Sequence, residues 1–94
     1  MNLEYLAELF EVVKNRVREK PKESYVARIV EGGMDRVLGK FGEEAFEFAS
    51  AVQGNGDKVA EAADLLFHYL IVLAASGVEL DEVVRELERR RRHR

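Results

Sequence analysis

The stretch EAADLLFHYLIVLAA, residues 61–75, constrains the fold of this chain more than any other. It is apolar apart from Glu61, Asp64 and His68, and burying an unpaired carboxylate is costly unless something neutralises it. The fold must therefore bring a compensating charge or cation to this segment. YLIVL alone has strand propensity, but it sits inside a longer helical pattern without breakers, running from Asp57 to about Ser76, where Gly77 stops it. The helix is more apolar than a helix with one exposed face needs to be. It belongs at the centre of a bundle or against a second subunit.

The remaining segments also read as helices. Leu3, Leu6, Leu9, Phe10, Val13 and Val17 form a helical stripe, with Asn2 as N-cap and Pro21 ending the helix by biasing Lys20 out of the helical region. YVARIVE is a short element that runs to the Gly32-Gly33 turn. Periodicity returns from Met34 to Val52 through Val37, Leu38, Phe41, Ala45, Phe48, Ala49 and Val52. GNG at 54–56 is a turn, Asp57 caps the next helix, and a last helix directs Leu80, Val83, Val84 and Leu87 inward. The expected fold is all-α: a small antiparallel bundle of about four to five helices. At 94 residues it forms one domain, 1–94, with a basic end at 89–94, and homo-oligomerisation completes its modest core.

Composition narrows the chemistry. Without cysteine there are no disulfides, thiolate zinc sites or cysteine nucleophiles, so a bound metal takes oxygen or imidazole ligands. The opening MNLEYLAELF lacks a signal-peptide pattern, and the longest uninterrupted apolar stretch, residues 69–75, is short for a membrane span. The expectation is a cytoplasmic protein with no membrane or nucleic-acid partner. Its formal charge of -3 agrees, although RRRRHR concentrates positive charge at the end.

On the helix from 57 to 76, Glu61, Asp64 and His68 share one sector. The preceding helix carries Lys40, Glu44 and Glu47 on one face, with Glu43 nearer its edge. Each long helix thus holds an acidic pair at i and i+3, and the GNG turn makes the helices antiparallel neighbours. Four converging carboxylates demand cations. Mg²⁺ is the natural choice, because it prefers oxygen ligands and commonly bridges carboxylates to phosphates. His68, one turn from Asp64, fits a supporting partner better than a Mg²⁺ ligand. Blander readings exist for each residue alone: a solvated face for Glu44 and Glu47, a core or interface contact for His68, an ion pair with Glu44 for Lys40. Asp64 within its apolar run resists such a reading, and the two pairs together favour phosphate chemistry.

GEEAFEF followed by EAADLLFHYL resembles the E-x-x-E and E-x-x-D signature of the all-alpha nucleotide pyrophosphohydrolases, on Glu44, Glu47, Glu61 and Asp64. SYVARIVEGGMDRVLGKFGEEAFE and EAADLLFHYLIVLAASGVELDEVVRELERR make the chain similar, more narrowly, to the phosphoribosyl-ATP pyrophosphohydrolase family of histidine biosynthesis. The resemblance extends from about Leu3 to the basic tail. It implies Mg²⁺-dependent hydrolysis of phosphoribosyl-ATP to phosphoribosyl-AMP and pyrophosphate by a homodimer or larger homo-oligomer. It also implies metal binding by Glu44, Glu47, Glu61 and Asp64, and makes Ser24, Tyr25, Arg28, Lys40 and His68 candidates for the substrate pocket. Members often carry serine or threonine where this chain has Glu79, a poor cap for the last helix.

The mechanistic expectation is that Glu44 or Glu47 takes a proton from the attacking water, while Arg28, Lys40 and Arg36 balance substrate charge. No glycine-rich phosphate loop followed by Lys-Ser/Thr is present. Three alternatives compete: a general nucleoside triphosphate pyrophosphatase, a non-enzymatic helical interaction module using the basic tail, and a structural helical dimer without chemistry.

Overall fold

The computed structural model describes residues 1–93, which fold into five α-helices: α1 (Glu4–Glu19), α2 (Tyr25–Glu31), α3 (Gly33–Gln53), α4 (Lys58–Ser76) and α5 (Leu80–Arg89). A short 3-10 turn follows at Arg91–His93, and Arg94 of the basic end lies outside the described residues. The fold is all-α, with no strand among the described residues.

Local chemistry sets the helix ends. The Glu4 N–H donates to Asn2 Oδ1 at 3.0 Å, and α1 ends where Lys20 turns left-handed at φ 50°, immediately before Pro21. The Ser24 hydroxyl accepts the Ala27 N–H at 3.1 Å and so starts α2. Gly33, at φ 84°, makes the tight joint between α2 and α3 that a side chain would strain. Asp57 Oδ1 accepts the Ala60 N–H at 3.0 Å, and Gly77 closes α4 at φ 78° while the Val78 N–H reaches back to Leu73 O at 3.0 Å. At α5 the Glu79 N–H donates to the Glu82 carboxylate at 2.9 Å. The weak cap expected at Glu79 is thus supported reciprocally from one turn onward. Its own carboxylate accepts from Lys14 at 2.7 Å, tying α5 to α1.

The core lies where α1, α2 and α3 meet α4, and consists of Phe10, Val13, Val26, Ile29, Val37, Leu70, Ile71 and Leu73. Leu70 and Ile71 are fully enclosed, so α4 has the central position that its apolar run required. α4 has 19 residues, and its most apolar 18-residue window has a mean hydropathy of 1.5, enough by length and composition to cross a membrane. In this fold it packs against α1 and α3 instead.

Two apolar stripes are covered less than their periodicity suggested. On α5, Leu80 and Val83 pack on the core, but Val84 and Leu87 are 42% and 53% exposed. The inward reading of those two residues is corrected: α5 meets the core only near its start. On α3, Val37 and Ala51 are buried, whereas Leu38, Phe46 and Val52 are exposed. Phe41, Ala45 and Phe48 of α3 line an open groove with Ala62, Leu65, Leu66 and Tyr69 of α4. Helical period reports that a face is apolar, and says nothing of whether this chain supplies its cover.

Candidate metal and phosphate site

The loop at residues 54–57 folds α4 back along α3 and sets Glu44 beside Glu61 and Asp64. One carboxylate oxygen from each lies within 4.8 Å of the other two. Glu44 and Glu61 are half-buried and Asp64 is exposed, so the group opens to solvent on one side. The pKa of Glu61 is raised, first by withdrawal from water and then by the negative charges of Glu47, Asp64, Glu44 and Asp57. Glu47 is outside the tight trio but is the foremost of the charges acting on Glu61. Three hard oxygen donors in mutual reach, repelling one another, fit a divalent cation such as Mg²⁺.

Behind the trio, His68 is only 7% exposed and its ring is fixed at both nitrogens. Nδ1 lies 2.8 Å from the backbone carbonyl of Asp64, and Nε2 lies 2.7 Å from the Tyr25 hydroxyl. A carbonyl only accepts, so Nδ1 carries a proton; in the neutral ring Nε2 then accepts the phenolic proton of Tyr25. Tyr25 and Phe67 both meet the imidazole edge-on, at centroid distances of 5.5 and 5.7 Å. His68 thus supports the Asp64 turn through its backbone rather than through its carboxylate.

The other candidates occupy varied settings. Arg28 places its guanidinium 6.0 Å from the centroid of the Tyr25 ring. Ser24 has its hydroxyl engaged in capping α2. Lys40 pairs with Glu43 at 3.4 Å, not with Glu44, leaving Glu44 to the acidic trio. Arg36 is exposed and folds its aliphatic stem over Gly32, where a Cβ would collide with it. Two contributors were not read from the sequence in these roles. Asp57, taken only as a cap, adds its charge to Glu61 one turn along, an i, i+4 relation visible in the sequence. Phe67 walls the His68 ring, and no sequence signal distinguishes it from any other core aromatic.

Comparison with known proteins bears on the family of the chain as a whole. The family model described as phosphoribosyl-ATP pyrophosphohydrolase matches residues 6–91. A Pyrobaculum neutrophilum protein named phosphoribosyl-ATP pyrophosphatase is 47% identical over 94 residues, spanning 98% of this chain and 100% of that protein. Its namesake from Ignicoccus hospitalis is 44% identical over 91 residues, spanning 95% of this chain and 89% of that one. Another, from Methylobacterium nodulans, is 48% identical over 87 residues, covering 90% and 81% of the two chains. With the match running through both acidic helices, the chain belongs to the phosphoribosyl-ATP pyrophosphohydrolase family.

Proposed function

We propose that the chain hydrolyses phosphoribosyl-ATP to phosphoribosyl-AMP and pyrophosphate, as a cytoplasmic enzyme of histidine biosynthesis in which residues 1–94 act as one domain. The observation that carries the reading is the convergence of Glu44, Glu61 and Asp64 within 4.8 Å on a hairpin whose sequence matches that family. Mg²⁺ held by these three, with Glu47 completing the set, would neutralise phosphate charge and acidify a bound water.

The chain's own residues do the rest. Glu47, exposed and outside the tight trio, is the carboxylate best placed to accept the proton of the attacking water, with Glu44 the alternative. Arg28, Arg36 and Lys40 supply cationic donors for the substrate's phosphates. His68 and Tyr25 hold α2 against α4 beside the Asp64 turn.

The working form is a homodimer or larger homo-oligomer. The isolated chain exposes 6940 Å², against about 5,500 Å² for a typical folded monomer of 10.7 kDa. That excess is larger than the ~800 Å² each partner contributes to a standard interface. The open groove between α3 and α4 is the apolar surface a second copy would cover.

Pyrophosphate release from phosphoribosyl-ATP, measured with and without Mg²⁺ for native protein and a folded Glu47→Ala variant, tests the assignment. Metal-dependent release that collapses in the variant is expected. Absence of release by well-folded native protein overturns it, and comparable turnover of ATP, dCTP or dUTP would transfer the chain to the general pyrophosphatases. The basic end argues less for a nucleic-acid module, since Glu86 engages two of its arginines, Arg89 and Arg90.

A further inference from the structure

We propose that α5 is a docking surface for α5 of a second copy of this chain, paired antiparallel about a twofold axis near Val84, and that this contact joins two dimers into a four-chain assembly. The inference rests on the assembly proposed above, in which a different surface, the α3–α4 groove, closes the dimer.

The apolar face comes first. Val84 and Leu87 are 42% and 53% exposed, and each borders an apolar depression. One, of about 220 Å³ between α1 and α5, is lined by Phe10, Leu80 and Val84 together with the carboxylates of Glu11, Glu79 and Asp81. The other gathers Val78, Val83 and Leu87.

Charge identifies what covers this face. From 79 to 84 the chain has three acids and no base, and from 85 to 92 it has five arginines against two glutamates. Two such helices side by side in parallel would set arginines against arginines. Antiparallel, each basic end meets the acidic start of the other, and the helix dipoles oppose as well. Pairs within the chain do not exhaust these charges. Asp81 holds Arg85 and Glu86 holds Arg89 and Arg90, whereas Arg91 and Arg92 form no ion pair among the described residues. The α1–α5 cleft keeps a net negative charge even with Lys14 and Arg85 paired into it.

Register and area agree. Leu80 precedes Val84 by four residues and Leu87 follows it by three, about 6 and 4.5 Å along the helix axis. A twofold axis at Val84 therefore sets Leu87 of each copy over Leu80 of the other, with the arginine-rich end beside Glu79 and Glu11. The chain's surface exceeds that of a typical monomer of its mass by about 1,400 Å², which outruns the ~800 Å² of one standard interface by roughly 600 Å². That remainder is too small to hold two lone subunits together. It suffices where two α5 contacts form at once between a pair of dimers.

Sedimentation velocity at low salt tests this on native protein, Val84→Asp, the double variant Arg91→Glu/Arg92→Glu and Leu66→Asp, with circular dichroism as the check on folding. Native protein is expected at the mass of four chains. Val84→Asp and the double variant should each halve it, and the double variant changes only exposed side chains beyond α5. Raising salt from about 0.05 to about 0.5 M should drive native protein the same way by screening the opposed ends. Leu66→Asp should give single chains. Native protein at two chains assigns the α5 face to a partner of another kind and overturns the inference, as does a four-chain mass that survives in both α5 variants; the groove reading stands in either case. A native assembly broken by the α5 variants but untouched by Leu66→Asp keeps the α5 pairing and overturns the groove instead.

Discussion

At Glu61 withdrawal from water and the charges of Glu47, Asp64, Glu44 and Asp57 act in one direction, raising its pKa. A carboxyl whose folded pKa exceeds its unfolded value holds its proton more tightly when folded. The folded state is therefore favoured below the unfolded value, and that advantage is lost as pH rises through the folded one. In metal-free protein Glu61→Gln should raise the melting temperature at neutral pH, with the difference shrinking as pH falls below the ordinary carboxylate value of 4.5. Saturating Mg²⁺ should reverse the order by stabilising only the native site. Thermal denaturation across pH, with and without metal, checks this, and an apo variant no more stable than native would contradict it. The carboxylates themselves were legible because two acidic pairs at i and i+3 on successive helices need no tertiary knowledge to notice. The partner of Lys40 was not: Glu43 and Glu44 are both one turn away, and only side-chain conformation separates them.

Among the elements, α4 was the most legible, since Asp57 and Gly77 punctuate it chemically and its apolar run sits inside a longer helical pattern without breakers. α2 was read only as a short element, and the hydroxyl of Ser24, a pocket candidate through family resemblance, also caps it. α5 was legible as an amphipathic helix, but not in how little of its stripe the core receives. Its C-terminal half is held by Glu86, whose bonds from Arg89 and then Arg90 lower its pKa to about 2. A depressed carboxylate stabilises above its unfolded value, near 4.5, and loses that contribution as pH falls towards about 2. Glu86→Gln should therefore lower helicity at pH 7 by a small, salt-sensitive amount, the group being exposed, and match native protein near pH 2. Circular dichroism at low salt is the measurement, and a difference that persists at pH 2 would be inconsistent with the ion pairs.

On the scale of the whole molecule, the radius of gyration of 14.4 Å exceeds the about 12 Å typical of a compact chain of this length. The expectation of a bundle completed by a second copy rested on chain length and the surplus apolar character of α4; the surface it leaves open could not be read, because periodicity does not say which neighbour arrives. If a second copy covers the α3–α4 groove, Leu66→Asp, placed where the native side chain is 43% exposed, should leave the subunit folded and drive it to monomer in sedimentation velocity. An unchanged sedimentation coefficient would contradict that interface. The α3–α4 hairpin also underlies the central claim, that Glu44, Glu61 and Asp64 form one cation site. Isothermal titration of native protein and Asp64→Asn with Mn²⁺, a stand-in for Mg²⁺, tests it without reference to any substrate. The account predicts saturable binding by native protein and at least about tenfold weaker binding by the variant; no saturable binding by native protein, or equal affinity in the two, would contradict it.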